Sequence, residues 1–305
     1  MKYLKKHWGH MINFLNSIMP DAGFRYIVSP APNGKGFLHY PCESNEAMVL
    51  KANELDAENK TVYFGCASYK LISYVDEQGK TRYRTADNAG WAKSLWLDLD
   101  CGATKATEGK GYTTLKEAGQ ALKVFCNVTG LPIPTVVLSG GGLNAYWPLE
   151  TTITKQQWKP VADKLKTLTH SLKLLADDSR TSDIASILRP VKTHNWKPEH
   201  NGKEVTLRYE APPIAFELFS QIINAAHIQH CASAKINTHE NRLITNVISD
   251  PETPANIARV KSALRVLDPN CDRSLWRNIC WAVQSLQWNC SEELARSWSM
   301  GALNE

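Results

Sequence analysis

Hydrophobic and polar positions change their spacing several times along the chain, and each spacing predicts an element. Apolar residues that recur every three or four positions predict helices, whereas β-rich runs and strict alternation predict strands. Thr114 with Glu117 and Thr154 with Gln157 have the spacing of capping boxes, which marks the start of two helices. The predicted helices cover 3–18, 46–56, 114–129, 154 to about 176 and 214–227, and the predicted strands lie within 61–75, 94–102, 131–149 and 205–210.

The order of these elements predicts an α+β fold, because helices and strands mix without the strict repetition of a doubly wound sheet. Residues 231–252 are polar and lose periodicity, which is typical of a linker. After Thr253-Pro254, a cap and first-turn pair, only helical stripes follow. We therefore expect a catalytic or binding domain at 1–230, a linker at 231–252 and a small all-helical domain at 253–305.

Composition narrows the class of protein. The 305 residues suit roughly two domains, and the 43% apolar share is that of a globular chain. No apolar run approaches the ~18 residues of a membrane span, and the N-terminus lacks the apolar core of a signal peptide. The eight cysteines form no C-x-x-C pair, which favours reduced thiols in a cytoplasmic protein. His227, His230 and Cys231 lack a second ligand pair, so an ordinary helix end is a better interpretation than zinc.

The net charge of +5 is spread unevenly, and residues 151–205 contain ten Lys and Arg and six Asp and Glu, an excess of +4. Such a bias suits a phosphate-bearing partner, although solvated helix faces are often basic too. The chain contains no phosphate loop, since six residues separate Gly102 from Gly109-Lys110 where that motif has four.

Asp98 and Asp100 are the sharpest candidates for chemistry. On a strand, residues two apart share a face, so both carboxylates lie opposite the apolar Leu97 and Leu99. Two like charges held this close are stable when a cation lies between them, and Mg²⁺ or Mn²⁺ suits oxygen ligands. The alternative is the solvated face of an edge strand, which the apolar flanks argue against.

Two later segments contain groups that suit the binding of phosphates and of a metal ion. Ser139–Gly142 follows an apolar run, and its three glycines would let the backbone approach phosphate oxygens; the alternative is a tight hairpin. The segment 176–197 has acids first, then cations and amides, an order that suits a metal-bound polyphosphate. Its alternative interpretation is a charged loop after a helix.

Together these motifs, in this order, resemble the archaeo-eukaryotic primase superfamily, and most of all the primase-polymerases of phages, plasmids and other mobile elements. The motifs are WLDLD, LPIPTVVLSGGGLNAYWPL and DDSRTSDIASILRPVKTHNWK. The family pattern has an acid-x-acid strand, an S-G-G-G-L-H-x-Y-W turn, and an acid followed by L-R-x-P-G-T-x-N-x-K. The stretch ALRVLDPNCDRSLWRNICWAVQSL is similar to the helical primase C-terminal domain that follows the catalytic domain in many members.

The resemblance implies an RRM-like sheet packed with a second α/β unit and an active site between them. It implies DNA-templated nucleotidyl transfer by a two-metal mechanism, with Mg²⁺ or Mn²⁺, dNTP or NTP substrates and a single-stranded DNA template. It implies a role in replication of a phage or mobile element, in the cytoplasm of a bacterium or phage-infected host. Relatives often continue into a helicase domain or act with a helicase, whereas no membrane association is expected.

The resemblance also implies a role for individual residues. Asp98 and Asp100 would be metal ligands, with Asp177 as the third catalytic carboxylate and Asp183 as its alternative. The implied nucleotide-binding residues are Ser139, Gly140, Gly141, Gly142, Asn144, Arg189, Lys192, Thr193, Asn195 and Lys197.

Two positions depart from the family pattern. Asn144 stands where the family has a histidine that contacts the incoming triphosphate, and Val191-Lys192 stands where a glycine is usual. An inward-pointing Lys192 would restore the missing charge. Two other classes remain open: a binding module that kept the fold without efficient catalysis, and a D-x-D glycosyltransferase that holds a nucleotide sugar through a metal.

Overall fold

A computed structural model describes residues 2–231, 251–271, 273–284, 286 and 288–301, of which 2–8 and 274 are described by backbone alone. The chain divides into two compact units, Met1–Thr238 and His239–Glu305. The helices are α1 Lys2–Ile18, α2 Asn45–Ala57, α3 Ala103–Thr107, α4 Leu115–Thr129, α5 Lys155–Ser171, α6 Asp178–Thr181, α7 Phe216–Cys231, α8 Pro254–Arg265, α9 Arg273–Gln284 and α10 Ser291–Met300. The strands are β1 Arg25–Pro30, β2 Phe37–Cys42, β3 Tyr63–Gly65, β4 Ser68–Tyr69, β5 Tyr74–Val75, β6 Thr81–Arg82, β7 Ala89–Asp100, β8 Thr135–Leu138, β9 Gly142–Thr154, β10 Ile187–Leu188, β11 His194–Asn195, β12 Lys203–Glu204 and β13 Thr206–Tyr209.

The larger sheet of the first unit has the order β13-β8-β9-β7-β4, with antiparallel pairing throughout. Its two long central strands, β7 and β9, pair so that Asp98 lies opposite Asn144 and Asp100 opposite Gly142. The middle of β7 is apolar on both faces, and its Leu97 and Leu99 are fully buried. The pairing places the acid pair beside the start of β9.

The smaller sheet has the order β10-β3-β1-β2 and is also antiparallel. Helices α1 and α2 pack on one of its faces, where Phe14 meets Phe64 edge to face and Lys51 lies over the Tyr40 ring. Strand β10 joins this sheet from late in the sequence, so the segment after Asp177 connects the two sheets. The predicted α+β class is therefore confirmed.

Buried tryptophans fix the layer between β7 and α5. The rings of Trp96 and Trp158 stack at 4.8 Å between centroids, and Trp158 donates its indole N–H to the Ser94 carbonyl. Trp96 donates to the carbonyl of Arg180 at 2.9 Å. Because a buried indole N–H needs an acceptor, this bond ties the α6 segment to β7.

The helix predicted to run from Thr154 to about Ala176 is correct at its start and wrong at its end. Thr154 and Gln157 form the reciprocal capping box, but α5 ends at Ser171. Lys173 adopts a left-handed φ of 55°, which a continuing helix does not allow. The chain then returns to the sheet, where Asp177 donates its backbone N–H to the Asp98 carbonyl at 2.7 Å.

The described part of the second unit is all helical. Its core joins α8, α9 and α10 through buried apolar side chains, among them Leu264, Val283 and Leu294. Thr253 accepts the Asn256 N–H as the cap of α8, with Pro254 in the first turn as predicted. Most of the predicted linker, 232–250, lies outside the described residues, so its boundaries stay a prediction. Among the described helices, none is long and apolar enough to cross a membrane.

Candidate active site

A cavity of about 530 Å³ opens in the first unit, at the end of β7. The acid pair forms one side of it, the turn before β9 lies next to the pair, and a segment from β10 to residue 200 forms the other side. Its wall comprises Tyr63, Asp98, Asp100, Cys101, Gly102, Ala103, Thr104, Lys105, Ser139, Gly141, Asn144, Asp177, Arg180, Ile187, Leu188, Arg189, Asn195, Lys197, Glu199 and His200. All three motif segments therefore contribute to one cavity.

The two carboxylates of β7 share the cavity but differ in their surroundings. Asp98 accepts a hydrogen bond from the Asn144 Nδ2 at 2.7 Å, whereas Asp100 pairs with Lys105 Nζ at 2.7 Å. Burial, followed by repulsion from Asp100, raises the pKa of Asp98 to about 7, against the pull of Arg180. A buried carboxylate with like charges beside it has a strong demand for a cation.

Asp177, rather than Asp183, is the third carboxylate in the cavity wall. Its backbone bond to β7 brings it beside the acid pair, and its Oδ1 accepts from the backbone and hydroxyl of Ser179. Asp183 instead accepts the Ala185 N–H at 2.9 Å and is not part of the wall. The early end of α5 explains this placement, since it frees the chain to reach β7.

The three carboxylates fit Mg²⁺ or Mn²⁺ by charge and by their oxygen donors, and all three line one cavity. In the described part of the chain, however, no three metal-binding side chains converge on one point. Each carboxylate is held by a protein donor: Asn144 for Asp98, Lys105 for Asp100 and Ser179 for Asp177. The buried Oδ1 of Asn144 has no hydrogen-bond partner there, which leaves one unused oxygen acceptor beside them. Holding a metal thus requires Asp100 and Asp177 to turn from these donors.

The glycine turn is explained by close protein packing. A Cβ on Gly142 would collide with the Leu99 carbonyl oxygen of β7, and one on Gly141 would lie 2.5 Å from His200 Nε2. Of the four predicted residues of the turn, Ser139 and Gly141 line the cavity, whereas Gly140 and Gly142 do not. Glycine is thus needed where β7 and His200 approach the backbone, a different reason from the expected cradle for phosphate.

Asn144 lies at the centre of the acid side. Its side chain is only 1% exposed, and its amide N–H₂ group binds Asp98. Lys192 does not supply the charge that the family histidine would bring, because it pairs with Glu204 at 2.8 Å and is outside the cavity wall. Thr193 is fully buried and donates to the Pro190 carbonyl, so it too is away from the wall.

Cations and amides on the opposite side match the remaining predictions. Arg189, Asn195 and Lys197 line the cavity. The structure adds Arg180 to the wall, next to the acid side, where its Nε lies 3.6 Å from Asp177 Oδ2. The Nε atoms of Arg180 and Arg189 are buried without a hydrogen-bond partner among the described residues. Arg189 donates an Nη–H to the Tyr63 hydroxyl at 3.1 Å, and Arg180 donates one to the Ile187 carbonyl at 3.4 Å. Both side chains keep their positive charge in the cavity wall, where an anion would be attracted.

Several residues of the cavity wall were not predicted from the sequence. Lys105 follows the acid strand by five positions, and a turn signal at Gly102 is the only hint that it folds back. Tyr63 comes from β3, early in the chain, and His200 lies just after the third motif segment, three residues beyond Lys197; no local pattern marks either. Burial lowers the pKa of His200, which favours its neutral form.

No protein-family model and no curated protein matches this sequence. Solved structures do match. The AEP domain of the cyanophage S-2L primase-polymerase superposes with a TM-score of 0.50 at 11% identity and covers 72% of this chain and 97% of that domain. Primase RepB′ gives 0.44 at 13% identity over 98% of this chain and 95% of its own. The polymerase domain of Mycobacterium tuberculosis ligase D, in complex with DNA, gives 0.38 at 14% identity over 74% and 90%.

At these identities a likeness establishes the fold and nothing finer, and the cyanophage domain is the one of the three that reaches a TM-score of 0.50. That domain is matched over almost its whole length, and the match covers nearly three quarters of this chain. The fold that the three motifs imply is thus confirmed by an independent comparison of backbones. The chain has the fold of the archaeo-eukaryotic primase-polymerases.

Proposed function

We propose that the chain is a DNA-templated nucleotidyltransferase, a primase, a polymerase or both, that takes dNTP or NTP substrates with Mg²⁺ or Mn²⁺. One observation carries the proposal: three carboxylates and the guanidinium groups of Arg180 and Arg189 line a single cavity. A nucleoside triphosphate with its metal ions has the complementary charges, since phosphates meet cations and metals meet carboxylates.

The carboxylates and the arginines of the cavity would position different parts of the substrate. Asp98, Asp100 and Asp177 would hold the metal, and a bound divalent cation supplies charge neutralisation at the phosphates and activation of a 3′-hydroxyl. Arg180 and Arg189, whose guanidinium groups line the cavity, would donate to phosphate oxygens. Little covalent chemistry is then left to the protein, because in phosphoryl transfer position and charge are the main contributions.

The remaining donors of the wall would orient the same substrate. Lys197 adds a positive charge on the side of Arg189, and Ser139 adds a hydroxyl group beside the acid pair. Asn144 fixes the Asp98 carboxylate, so it acts on the substrate through that carboxylate. Lys105 neutralises Asp100 until a metal replaces it, and its freed ammonium group then lies within reach of phosphate.

The direct test is incorporation of radiolabelled dNTP or NTP on a single-stranded template with Mn²⁺. We expect the wild-type chain to incorporate label and Asp100→Asn to lose the activity. Asp178→Asn is the matched control, because Asp178 is the half-exposed neighbour of Asp177 that binds His170 outside the cavity. No incorporation by the wild type under any nucleotide and metal, or equal activity in both variants, would contradict the proposal.

A binding module that lost efficient catalysis is the second candidate. It is favoured by the fact that all three carboxylates already have protein donors. The same assay separates the two, since such a module would bind the template without incorporating label. A glycosyltransferase would instead hydrolyse a nucleotide sugar with no template present.

The wider setting is proposed on the motifs and the fold together. We propose that Met1–Thr238 contains the catalytic domain, and that the helical residues after Thr253 form a primase C-terminal domain. Replication of a phage or mobile element in a bacterial cytoplasm, with a helicase as partner, belongs to the same proposal.

A further inference from the structure

The face of the smaller sheet that turns away from α1 and α2 carries a row of aromatic side chains. His39 and Tyr63 both lie opposite Val28 of β1, so the three share a face. Phe37 lies two residues before His39 on β2 and therefore points the same way. Val28 itself is fully buried, whereas the ring of Phe37 at the start of β2 reaches solvent.

The rings of this row are ordered by one another and partly exposed. Phe37 meets Tyr63 edge to face, with 6.1 Å between ring centroids, and 41% of Phe37 is exposed. Tyr83 stacks on His39 at 5.4 Å and is 38% exposed. Large rings held in place while still open to solvent are suited to stacking on a flat partner.

Two guanidinium groups lie among these rings. Arg189 is 4.9 Å from the centroid of the Tyr63 ring, and Arg84 passes over Gly65, where its Cδ would be 3.2 Å from an added Cβ. Arg189 also donates an Nη–H to the Tyr63 hydroxyl at 3.1 Å. The Nε of each arginine is buried without a hydrogen-bond partner, and neither forms an ion pair within the described part of the chain. The row thus has positive charge that no carboxylate neutralises.

This surface is continuous with the candidate active site, because Tyr63 and Arg189 also line the cavity. We call the surface formed by Phe37, Tyr63, Tyr83, Arg84 and Arg189 the aromatic face. It begins at the cation side of the cavity and ends at the exposed Phe37. A polymer bound in the cavity would leave it along this row.

We propose that the aromatic face binds single-stranded nucleic acid, with a base stacked on Phe37 and phosphates beside Arg84 and Arg189. Rings interleaved with unpaired cations are the chemistry that holds a single strand without reading its sequence. That this strand is the template rests on the proposed function, whereas strand binding itself does not require catalysis.

The test measures the affinity of the full chain for a fluorescent 20-nucleotide dT strand by anisotropy, with neither metal nor nucleotide present. Phe37→Ala is expected to raise the Kd about fivefold or more, the lower range for loss of one base–aromatic stack. Leu38→Ala is the matched control, since Leu38 is the next residue, is equally exposed at 41% and points to the opposite face. Thermal melting of both variants checks that each is folded.

A second variant reports on charge. Arg84→Gln is expected to reduce the slope of log Kd against log salt by roughly 0.7, the loss of one phosphate contact in a single strand. Equal affinities of Phe37→Ala and Leu38→Ala, or no binding by the folded wild type, would overturn the proposal. So would self-association that Phe37→Ala abolishes, because the face would then be a protein interface. Failure of incorporation alone, with the Phe37 effect intact, would count against the proposed function only.

Discussion

The acid strand and the glycine turn lie side by side in the cavity. The position of the acid residues follows from their local sequence, whereas the need for the glycines follows from what packs against them. On β7 the alternation of residues places Asp98 and Asp100 on one side, and the structure keeps them there. At the turn, the glycines accommodate His200 and the β7 backbone. A strand's facing is set locally, whereas the reason for a glycine depends on what packs against it.

The largest effect we expect concerns the third carboxylate. Asp177→Asn should reduce nucleotide incorporation by about 10³-fold or more, because it removes one negative charge from the metal-holding side. Asp183→Asn should leave the rate near that of the wild type, since the amide oxygen can still accept the Ala185 N–H. Steady-state incorporation by the two isosteric variants decides between them, and the reverse order would show that the acid side is wrongly assigned.

Asn144 provides the next test, because it connects the acid strand with β9. Asn144→Leu keeps the approximate size but removes the donor to Asp98, and we expect a loss of roughly 10–100-fold in rate or in metal affinity. Binding of Mn²⁺, followed by electron paramagnetic resonance, gives a readout apart from catalysis.

Asn144→His is a second test of the role of Asn144. The position is 1% exposed, so the larger imidazole has to displace its neighbours, and we expect no gain in activity. A clear gain would show that Asn144 attenuates an enzyme whose pocket is otherwise built for the family histidine.

The glycines themselves predict a difference in stability. Gly142→Ala should lower the free energy of unfolding by about 2–4 kcal/mol, because the backbone of a central strand cannot yield. Gly141→Ala should cost less, since the His200 side chain can move, and His200→Ala should remove most of that cost. Urea unfolding of the two single variants and the double variant measures the coupling, and additive effects would contradict the packing explanation.

The smallest effects that we expect are those of substituting two lysines of the same segment, and the two substitutions should differ. Lys197→Gln should raise the KM for nucleotide severalfold, because Lys197 lines the cavity. Lys192→Gln should change neither KM nor kcat, since its ammonium pairs with Glu204 at the surface, an interaction worth about 0–1 kcal/mol. Equal effects of both changes would mean that the segment binds nucleotide in a different arrangement.

Local patterns predicted what depends on neighbours in sequence. Thr154 and Gln157 marked the start of α5, and the alternation in β7 predicted the facing of Asp98 and Asp100. The patterns missed what depends on distant packing: the left-handed Lys173 that ends α5 early, and the arrival of His200 over the turn. Periodicity contains no information on which distant element fills a gap, and this is why the wall of the cavity could be predicted only in part.

In the proposed function, the acid side and the cation side of the cavity act on one nucleotide. Titration of a fluorescent, non-hydrolysable nucleoside triphosphate with and without Mn²⁺ tests it most directly. We predict saturable binding that requires Mn²⁺, is lost in Asp98→Asn and in Arg189→Gln, and persists in Lys192→Gln. Binding that does not depend on Mn²⁺, or that persists in Arg189→Gln, would contradict this.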